Sequence, residues 1–300
     1  MKLDAGNSIV FRTKGFELNS ILLKPTTISE AVSMLATEED ASPIAGGATL
    51  VAMMNADLIA PQTLIALDGI PGLKGISQAA DGSLRVGAMT LHRETAGDPR
   101  MTGSLRVVAE AASVIANPIV RNMGTMGGSI AFFDPAADYP AALVATRAEV
   151  ELEGPDGARR LPAAEFFVDW YTTAREEGEL VTAIHFPAPV DGVSTYRKIA
   201  RTAGDFAIAS CAACLDPDGS VRVAVGACGP VPLSDVDAEA ALAGHLDDPA
   251  AMEAFTERLV GLADPVSDVR GSAEYRLRLI PRLIRSTLED LATVNTEEAA

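Results

Sequence analysis

A glycine-rich segment near the middle of the chain carries the residues best suited to bind an anion. Residues 117–140 read NPIVRNMGTMGGSIAFFDPAADYP, and Gly124, Gly127 and Gly128 fall within five positions. Glycine has no Cβ, so backbone N–H groups can approach a ligand closely, and it reaches positive φ freely. Successive N–H groups in such a turn form a concave site that attracts anions. The segment indicates a phosphate-bearing ligand, although many glycine-rich turns are purely structural.

Polar side chains on both sides of these glycines extend the possible chemistry. Thr125 and Ser129 contribute hydroxyls, and Arg121 lies just upstream. Two carboxylates, Asp134 and Asp138, follow downstream. Carboxylates accept hydrogen bonds from sugar hydroxyls, whereas the N–H groups suit phosphates. The arrangement therefore suits a nucleotide.

An earlier turn has the same character. Residues 43–50 read PIAGGATL, with paired glycines, Gly46 and Gly47, and a hydroxyl on Thr49. Because each turn offers N–H groups to an anion, two such turns in one domain could grip one dinucleotide from two sides.

Helical and strand-like periodicities predict the elements that must position these turns. Helices are expected at 26–40, with Thr27 or Ser29 as the cap, and at 104–115, 139–146, 236–244, 249–263 and 270–293, with a helix or loop at 55–61. Strands are expected at 43–47, 63–70, 83–90, 148–154, 180–187, 194–201, 206–216 and 220–228. The fold class is α+β: mixed sheets come first, followed by a three-stranded antiparallel sheet backed by helices.

Two prolines mark the strongest candidate for a domain boundary. Pro187 and Pro189 end a strand and stiffen the following connection. This boundary divides the chain into residues 1–189, with subdomains at about 20–72 and 73–189, and residues 190–300.

The composition excludes several classes of function. With 24 basic and 41 acidic residues, the net charge of −17 argues against binding nucleic acid or anionic membranes. The sequence contains neither a signal-like apolar core nor a run of membrane-spanning length, so we expect a cytoplasmic protein.

Cys211 and Cys214 have C-x-x-C spacing, but their apolar surroundings favour buried small residues over a metal or redox pair. With Cys228 they are too few for an iron–sulfur cluster on this chain alone.

No pattern predicts a catalytic acid, base or nucleophile. The chain contains no G-x-S-x-G, H-E-x-x-H, Walker or Rossmann motif. His92, His185 and His245 are scattered, which argues against a metal site, and none lies in either glycine turn.

Both turns resemble the flavin-contacting motifs of the FAD subunits of molybdenum hydroxylases, the family of carbon monoxide dehydrogenase medium subunits and xanthine dehydrogenase flavin domains. AGGATL at 45–50, continued to Asp68, resembles the first motif, with Ala48 where many members carry His, Thr or Gln. IVRNMGTMGGSIAFFDPAADYPAALVA at 119–145 resembles the second motif. The segments 196–210 and 273–291 resemble the family's C-terminal signatures.

This resemblance implies a two-part FAD-binding domain of the PCMH type that binds FAD non-covalently, since neither turn offers a histidine for a covalent link. The diphosphate would lie between residues 44–50 and 124–129, and the strand at 180–187 would flank the flavin ring. Asp205 would orient the loop that meets the flavin. The implied cofactor-binding residues are Ile44, Ala45, Gly46, Gly47, Ala48, Thr49, Leu50, Gly124, Thr125, Gly127, Gly128, Ser129, Asp138, Leu180, Val181 and Lys198.

Two of these positions have alternative interpretations. Asp138 matches a family position that contacts the flavin, but it also suits the N-cap of the helix at 139–146. Lys198 matches a basic family position near the cofactor, and Arg197 could take that role instead, because the match can slip by one position without a gap. Either basic residue could instead lie on a solvated strand face.

The function implied by the resemblance is electron relay. A small partner subunit would carry two [2Fe–2S] clusters, a large one would carry molybdopterin, and FAD on this chain would pass electrons to an external acceptor. A dimer of heterotrimers is the expected assembly, with an apolar patch of this chain buried on assembly. Carbon monoxide, purines, aldehydes and N-heteroaromatics stay open as substrates. The alternatives are a self-contained flavin oxidoreductase of the same fold and a cofactor-free acidic scaffold. Valine at Gly127 and Gly128 is expected to expel FAD, because a Cβ would occupy phosphate space.

Overall fold

The computed structural model describes residues 9–10 and 20–298, with side chains from 20 to 293. The helices are α1 (Ile28–Thr37), α2 (Leu50–Asn55), α3 (His92–Gly97), α4 (Arg106–Ser113), α5 (Pro118–Arg121), α6 (Met126–Phe132), α7 (Tyr139–Ala145), α8 (Ala163–Phe166), α9 (Val236–Leu242), α10 (Pro249–Gly261) and α11 (Ala273–Glu298). The strands are β1 (Ile9–Val10), β2 (Ile21–Leu23), β3 (Ala41–Ile44), β4 (Thr63–Ala66), β5 (Ile76–Gln78), β6 (Leu84–Gly87), β7 (Glu149–Gly154), β8 (Gly157–Pro162), β9 (Phe167–Asp169), β10 (Thr172–Thr173), β11 (Leu180–Phe186), β12 (Val193–Ile199), β13 (Ala209–Leu215) and β14 (Val221–Gly226).

These strands form three main sheets in chain order. The first has the order β1-β2-β4-β3 and is mixed, because β2 and β3 run parallel to β4 while β1 is antiparallel to β2. The second, β5-β6-β11-β7-β8, is antiparallel throughout, as is the third, β12-β13-β14. The α+β class, with a three-stranded antiparallel sheet near the C-terminus, is confirmed.

Side-chain caps explain where the helices near the turns begin. Thr27, and not Ser29, caps α1: its hydroxyl accepts the Glu30 amide proton at 3.1 Å. The side chain of Asn117 caps α5, with Pro118 at the first helical position. The sequence Asn-Pro therefore starts α5, whereas α4 has already ended at Ser113.

The structure differs from the expected elements around both glycine turns. The segment 55–61, expected as a helix or a loop, is a loop after Asn55, and the unexpected element is α2, which follows the first turn directly. The central segment contains α5 and α6, although no helix was expected there. Both helices are too short, and α6 too rich in glycine, to display a helical period in the sequence.

The third sheet is covered on both faces. One face packs with α4 and α7 in the main core, and the opposite face packs with α10 and α11. Cys214 belongs to the first face and Cys211 to the second, because they are three positions apart on one strand. Burial raises the pKa of both thiols to about 12. Their interpretation as buried small residues is confirmed.

The described part of the chain, residues 9–10 and 20–298, has no helix both long enough and apolar enough to cross a membrane.

Candidate cofactor-binding cleft

The two glycine turns lie against each other. A Cβ built on Gly46 would come within 1.7 Å of the carbonyl oxygen of Met123, just before the second turn. Only glycine allows this approach of two backbones. The structure thus brings together two segments separated by more than 70 positions in the chain.

Between the turns, β11 and the loop at 204–206 lies a cleft of about 510 Å³. It is lined by all of the residues predicted for the cofactor except Ile44 and Lys198. Leu180 and Val181 contribute from the start of β11, and Asp138 contributes from the N-terminus of α7. The volume falls within the range of small-molecule sites.

The two turns do not offer the same hydrogen-bonding capacity. The amides of residues 126–129 donate to oxygens of Ala88, Thr90 and Thr125 at distances between 2.8 and 3.1 Å. Among the described residues, by contrast, no acceptor lies within hydrogen-bond distance of the amides of residues 46–49. Free backbone donors for an anion therefore lie mainly on the first turn. On the second turn the Thr125 amide has no acceptor among the described residues, whereas the amides at 126–129 serve the fold.

The glycines of the second turn make room for protein rather than for ligand. A Cβ on Gly127 would lie 2.4 Å from the Cβ of Ala88 and 2.8 Å from its backbone. A Cβ on Gly128 would lie 2.9 Å from the Thr125 hydroxyl, which caps α6. The physical reason given for the valine substitutions is thus wrong for Gly127, since valine there would disrupt packing whether or not a cofactor binds.

Asp138 takes part in a buried network rather than in a helix cap. It occupies the N-cap position of α7, but its side chain makes no capping hydrogen bond. Instead Oδ1 accepts the Tyr196 hydroxyl at 2.8 Å and lies 2.9 Å from the Lys198 ammonium. Burial raises the pKa of this carboxyl, while the neighbouring ammonium and hydroxyl oppose the shift. The carboxylate is fixed at the wall of the cleft, where it can accept hydroxyl protons.

The two candidate basic residues on β12 point to opposite faces. Arg197 pairs with Asp290 of α11, away from the cleft. Lys198 pairs with Asp138, and its side chain is only 8% exposed. Lys198 does not line the cleft and acts on it through Asp138, while Arg197 serves helix packing.

Sequence reasoning missed the two basic residues among those that line the cleft. Arg175 lies before β11, and its Nη1 donates to the carbonyl of Glu179 at 3.0 Å; within the described chain it has no carboxylate within salt-bridge distance. Burial lowers the pKa of this guanidinium. A basic residue just ahead of a strand predicted to flank the ring was the available signal. His92, from α3, also lines the cleft, and its signal was weaker because it lies in neither turn.

The cleft is suited to binding rather than to acid–base chemistry. Its walls offer free amides, hydroxyls and one arginine to an anion, and a fixed carboxylate to hydroxyl groups. Within residues 9–10 and 20–298, no three His, Cys, Asp or Glu side chains are arranged to hold a metal ion.

Fold and cleft together define a dinucleotide-binding subunit. The model of the family described as the FAD binding domain in molybdopterin dehydrogenase matches residues 14–189, and that of the CO dehydrogenase flavoprotein C-terminal domain matches residues 194–291. The chain therefore belongs to the family of FAD-binding medium subunits of molybdenum hydroxylases, as the motifs implied.

Relatives cover nearly the whole chain. The carbon monoxide dehydrogenase medium chain of Hydrogenophaga pseudoflava is 34% identical over 270 residues, 88% of this chain and 94% of that protein. The nicotine 6-hydroxylase medium subunit of Paenarthrobacter nicotinovorans is 35% identical over 268 residues, again 88% and 94%. A solved structure of the Hydrogenophaga pseudoflava carbon monoxide dehydrogenase matches with a TM-score of 0.86 and 35% identity, covering 91% of this chain and 96% of that one.

Proposed function

We propose that this chain holds FAD non-covalently in the cleft between the two glycine turns, within a molybdenum hydroxylase that also has a large and a small subunit. When bound, FAD supplies one- and two-electron chemistry that links a partner's iron–sulfur cluster to an external acceptor. The protein's own residues bind and orient it. Family membership supports this role, and the cleft is where the chain performs it.

The observation that carries the proposal is the set of free amides at residues 46–49. Four N–H groups that have no acceptor in the described part of the chain, at the wall of a cleft, match the needs of a diphosphate. Across the cleft, the fixed carboxylate of Asp138 can accept protons from ribityl or ribose hydroxyls. These two features suit the two chemical parts of a dinucleotide.

A charge change within the first turn tests the proposal. Ala48→Asp places a carboxylate among the free amides, so it should repel the diphosphate, whereas Ala48→Asn has nearly the same shape and no charge. The complex should be purified with each variant, and flavin should be measured from its visible spectrum after release. We expect the asparagine variant to retain flavin and the aspartate variant to lose most of it. Equal flavin content in both, or a colourless wild-type complex, would contradict the proposal.

The domain division and the assembly belong to the same proposal. We infer a cofactor domain at 1–189 and a second domain at 190–300; the third sheet, which begins with β12, supports this division. Ile119 and Met123, which are 75% and 39% exposed, lie on the segment leading into the second turn and support a partner subunit on that face. A dimer of heterotrimers predicts twice the heterotrimer mass in analytical ultracentrifugation.

We also infer a cytoplasmic location, and we infer that the large subunit determines the substrate. The three cysteines are free and buried, which suits a reducing compartment. Relatives of similar identity are named for carbon monoxide, nicotine and glyceraldehyde, so this chain's sequence does not select among substrates. Substrate-dependent bleaching of the flavin in the purified complex would identify the substrate class.

A further inference from the structure

His92 lies directly behind the second glycine turn. Its backbone amide donates to the Gly124 carbonyl at 3.0 Å, which fixes α3 against the turn. A Cβ on residue 124 would lie 2.6 Å from Nε2 of the imidazole. Glycine at this position therefore makes room for the His92 ring.

The His92 ring is largely buried, and one of its nitrogens has no partner among the described residues. His92 is 4% exposed and lines the cleft. Nδ1 lies 3.1 Å from the Tyr139 hydroxyl, whereas Nε2 has no hydrogen-bond partner in the part of the chain that the structure describes. Among the described residues, the fully enclosed side-chain atoms without a partner are Ser210 Oγ and Arg276 Nε, so Nε2 of His92 is accessible from the cleft and available to a group bound there.

Burial and the nearby Arg121 lower the pKa of His92 to about 4, so the imidazole is neutral at pH 7. A neutral imidazole carries one proton, and the nitrogen that accepts a hydrogen bond lacks it. The hydrogen bond between Nδ1 and the Tyr139 hydroxyl fits either neutral tautomer. In the tautomer where the hydroxyl donates to Nδ1, the ring proton resides on Nε2 and His92 presents a donor to the cleft.

We propose that Nε2–H of His92 is the side-chain donor with which the second turn binds the diphosphate of the dinucleotide. The amides of residues 126–129 are already used within the fold, which leaves the Thr125 amide as the backbone donor on this side of the cleft, and a side-chain donor adds to it. His92 supplies it from behind Gly124 and acts as a positioning residue. This inference rests on the proposed binding of FAD.

The test compares FAD with ADP, which carries the diphosphate but no flavin ring. The complex containing His92→Phe, His92→Gln or the exposed control His245→Gln should be freed of flavin and titrated with both ligands. We expect His92→Phe to weaken FAD and ADP by the same factor, about 10- to 100-fold, as for a lost hydrogen bond to a charged group. His92→Gln, which retains an N–H donor, should recover most of the affinity, and His245→Gln should match the wild type.

The tautomer of the His92 ring is a second measurement, and a residue that served packing alone would not change it on ligand binding. In ¹⁵N-histidine spectra, the Nε2 signal of His92 should report a protonated nitrogen and shift when ADP is added. Tyr139→Phe should mix the two tautomers and weaken ADP by a smaller factor than His92→Phe.

Each outcome decides one question. Unchanged ADP affinity in His92→Phe, with FAD weakened, would place the contact at the flavin ring and overturn the inference. Equal losses in His92→Phe and His92→Gln would make the residue a packing element and also overturn it. A wild-type complex that takes up neither FAD nor ADP would instead refute the proposed function.

Discussion

Removing the ammonium from the buried pair at the cleft wall should be costly, and the cost should depend on pH. In Lys198→Met the apolar side chain fills similar space, but Asp138 loses a counter-charge 2.9 Å away. Both side chains are less than one-tenth exposed, so solvent cannot replace the lost interaction. Breaking a buried pair by removing one partner costs about 3–5 kcal/mol.

The sign of the pH dependence follows from Asp138. Burial already raises the pKa of its carboxyl, and without Lys198 that pKa rises further. An acid with a raised folded pKa destabilises the protein only where it is ionised in the unfolded chain. The stability gap between wild type and variant should therefore be small near pH 4, open above the pKa that Asp138 has in the wild-type fold, and grow there by up to about 1.4 kcal/mol per pH unit. It should level off above the pKa that Asp138 has in the variant.

Urea unfolding between pH 4 and 8, followed by circular dichroism and by the fluorescence of the only tryptophan, Trp170, measures this gap. Arg197→Met is the matched control, because Arg197 and Asp290 are both more than 40% exposed and their pair should contribute less than about 1 kcal/mol. The double variant Asp138→Asn/Lys198→Met should recover much of the loss. A gap in Lys198→Met that is the same at pH 4 and pH 8 would refute the assignment of the cost to an uncompensated carboxylate.

Three further changes test other parts of the structure. Gly46→Ala should lower the melting temperature by several degrees and prevent FAD uptake, because its Cβ would meet the Met123 carbonyl at 1.7 Å. In the control Gly261→Ala the new Cβ meets nothing within 4 Å, so this variant should be neutral. Equal melting temperatures of the two variants would contradict the contact between the turns. Arg175→Gln should weaken the binding of FAD about tenfold and reduce its salt dependence, both measured by flavin fluorescence. An unchanged salt dependence would exclude an ionic role for Arg175. Burial alone would raise the pKa of Glu151, but hydrogen bonds lower this pKa from an ordinary 4.5 to about 2. The ionised Glu151 side chain therefore stabilises the fold above pH 4.5, and this stabilisation is lost as the pH falls towards 2. Glu151→Gln should cost about 2–3 kcal/mol in urea unfolding at pH 7, and the gap should close in acid; a constant gap would contradict this reasoning.

Local patterns predicted what depends on neighbours in sequence. The strands of the third sheet, the cap at Thr27 and both glycine turns follow from alternation, side-chain hydroxyls and glycine spacing. The neighbours that each glycine faces do not follow from such local patterns, because Gly127 faces Ala88 only after α6 packs on the second sheet. His92 was missed for the same reason: its place behind the turn depends on contacts between segments some 30 positions apart.

The cleft depends on two segments of the chain that match different family models. Asp138 lies in the region matched by the first family model, while Lys198 lies in the region matched by the second. The loop at 204–206, also from the second region, closes the cleft. A chimera whose second region lacks a basic residue at position 198 would leave the Asp138 carboxylate unpaired inside its core. Flavin content would report whether the two halves of such a chimera are compatible.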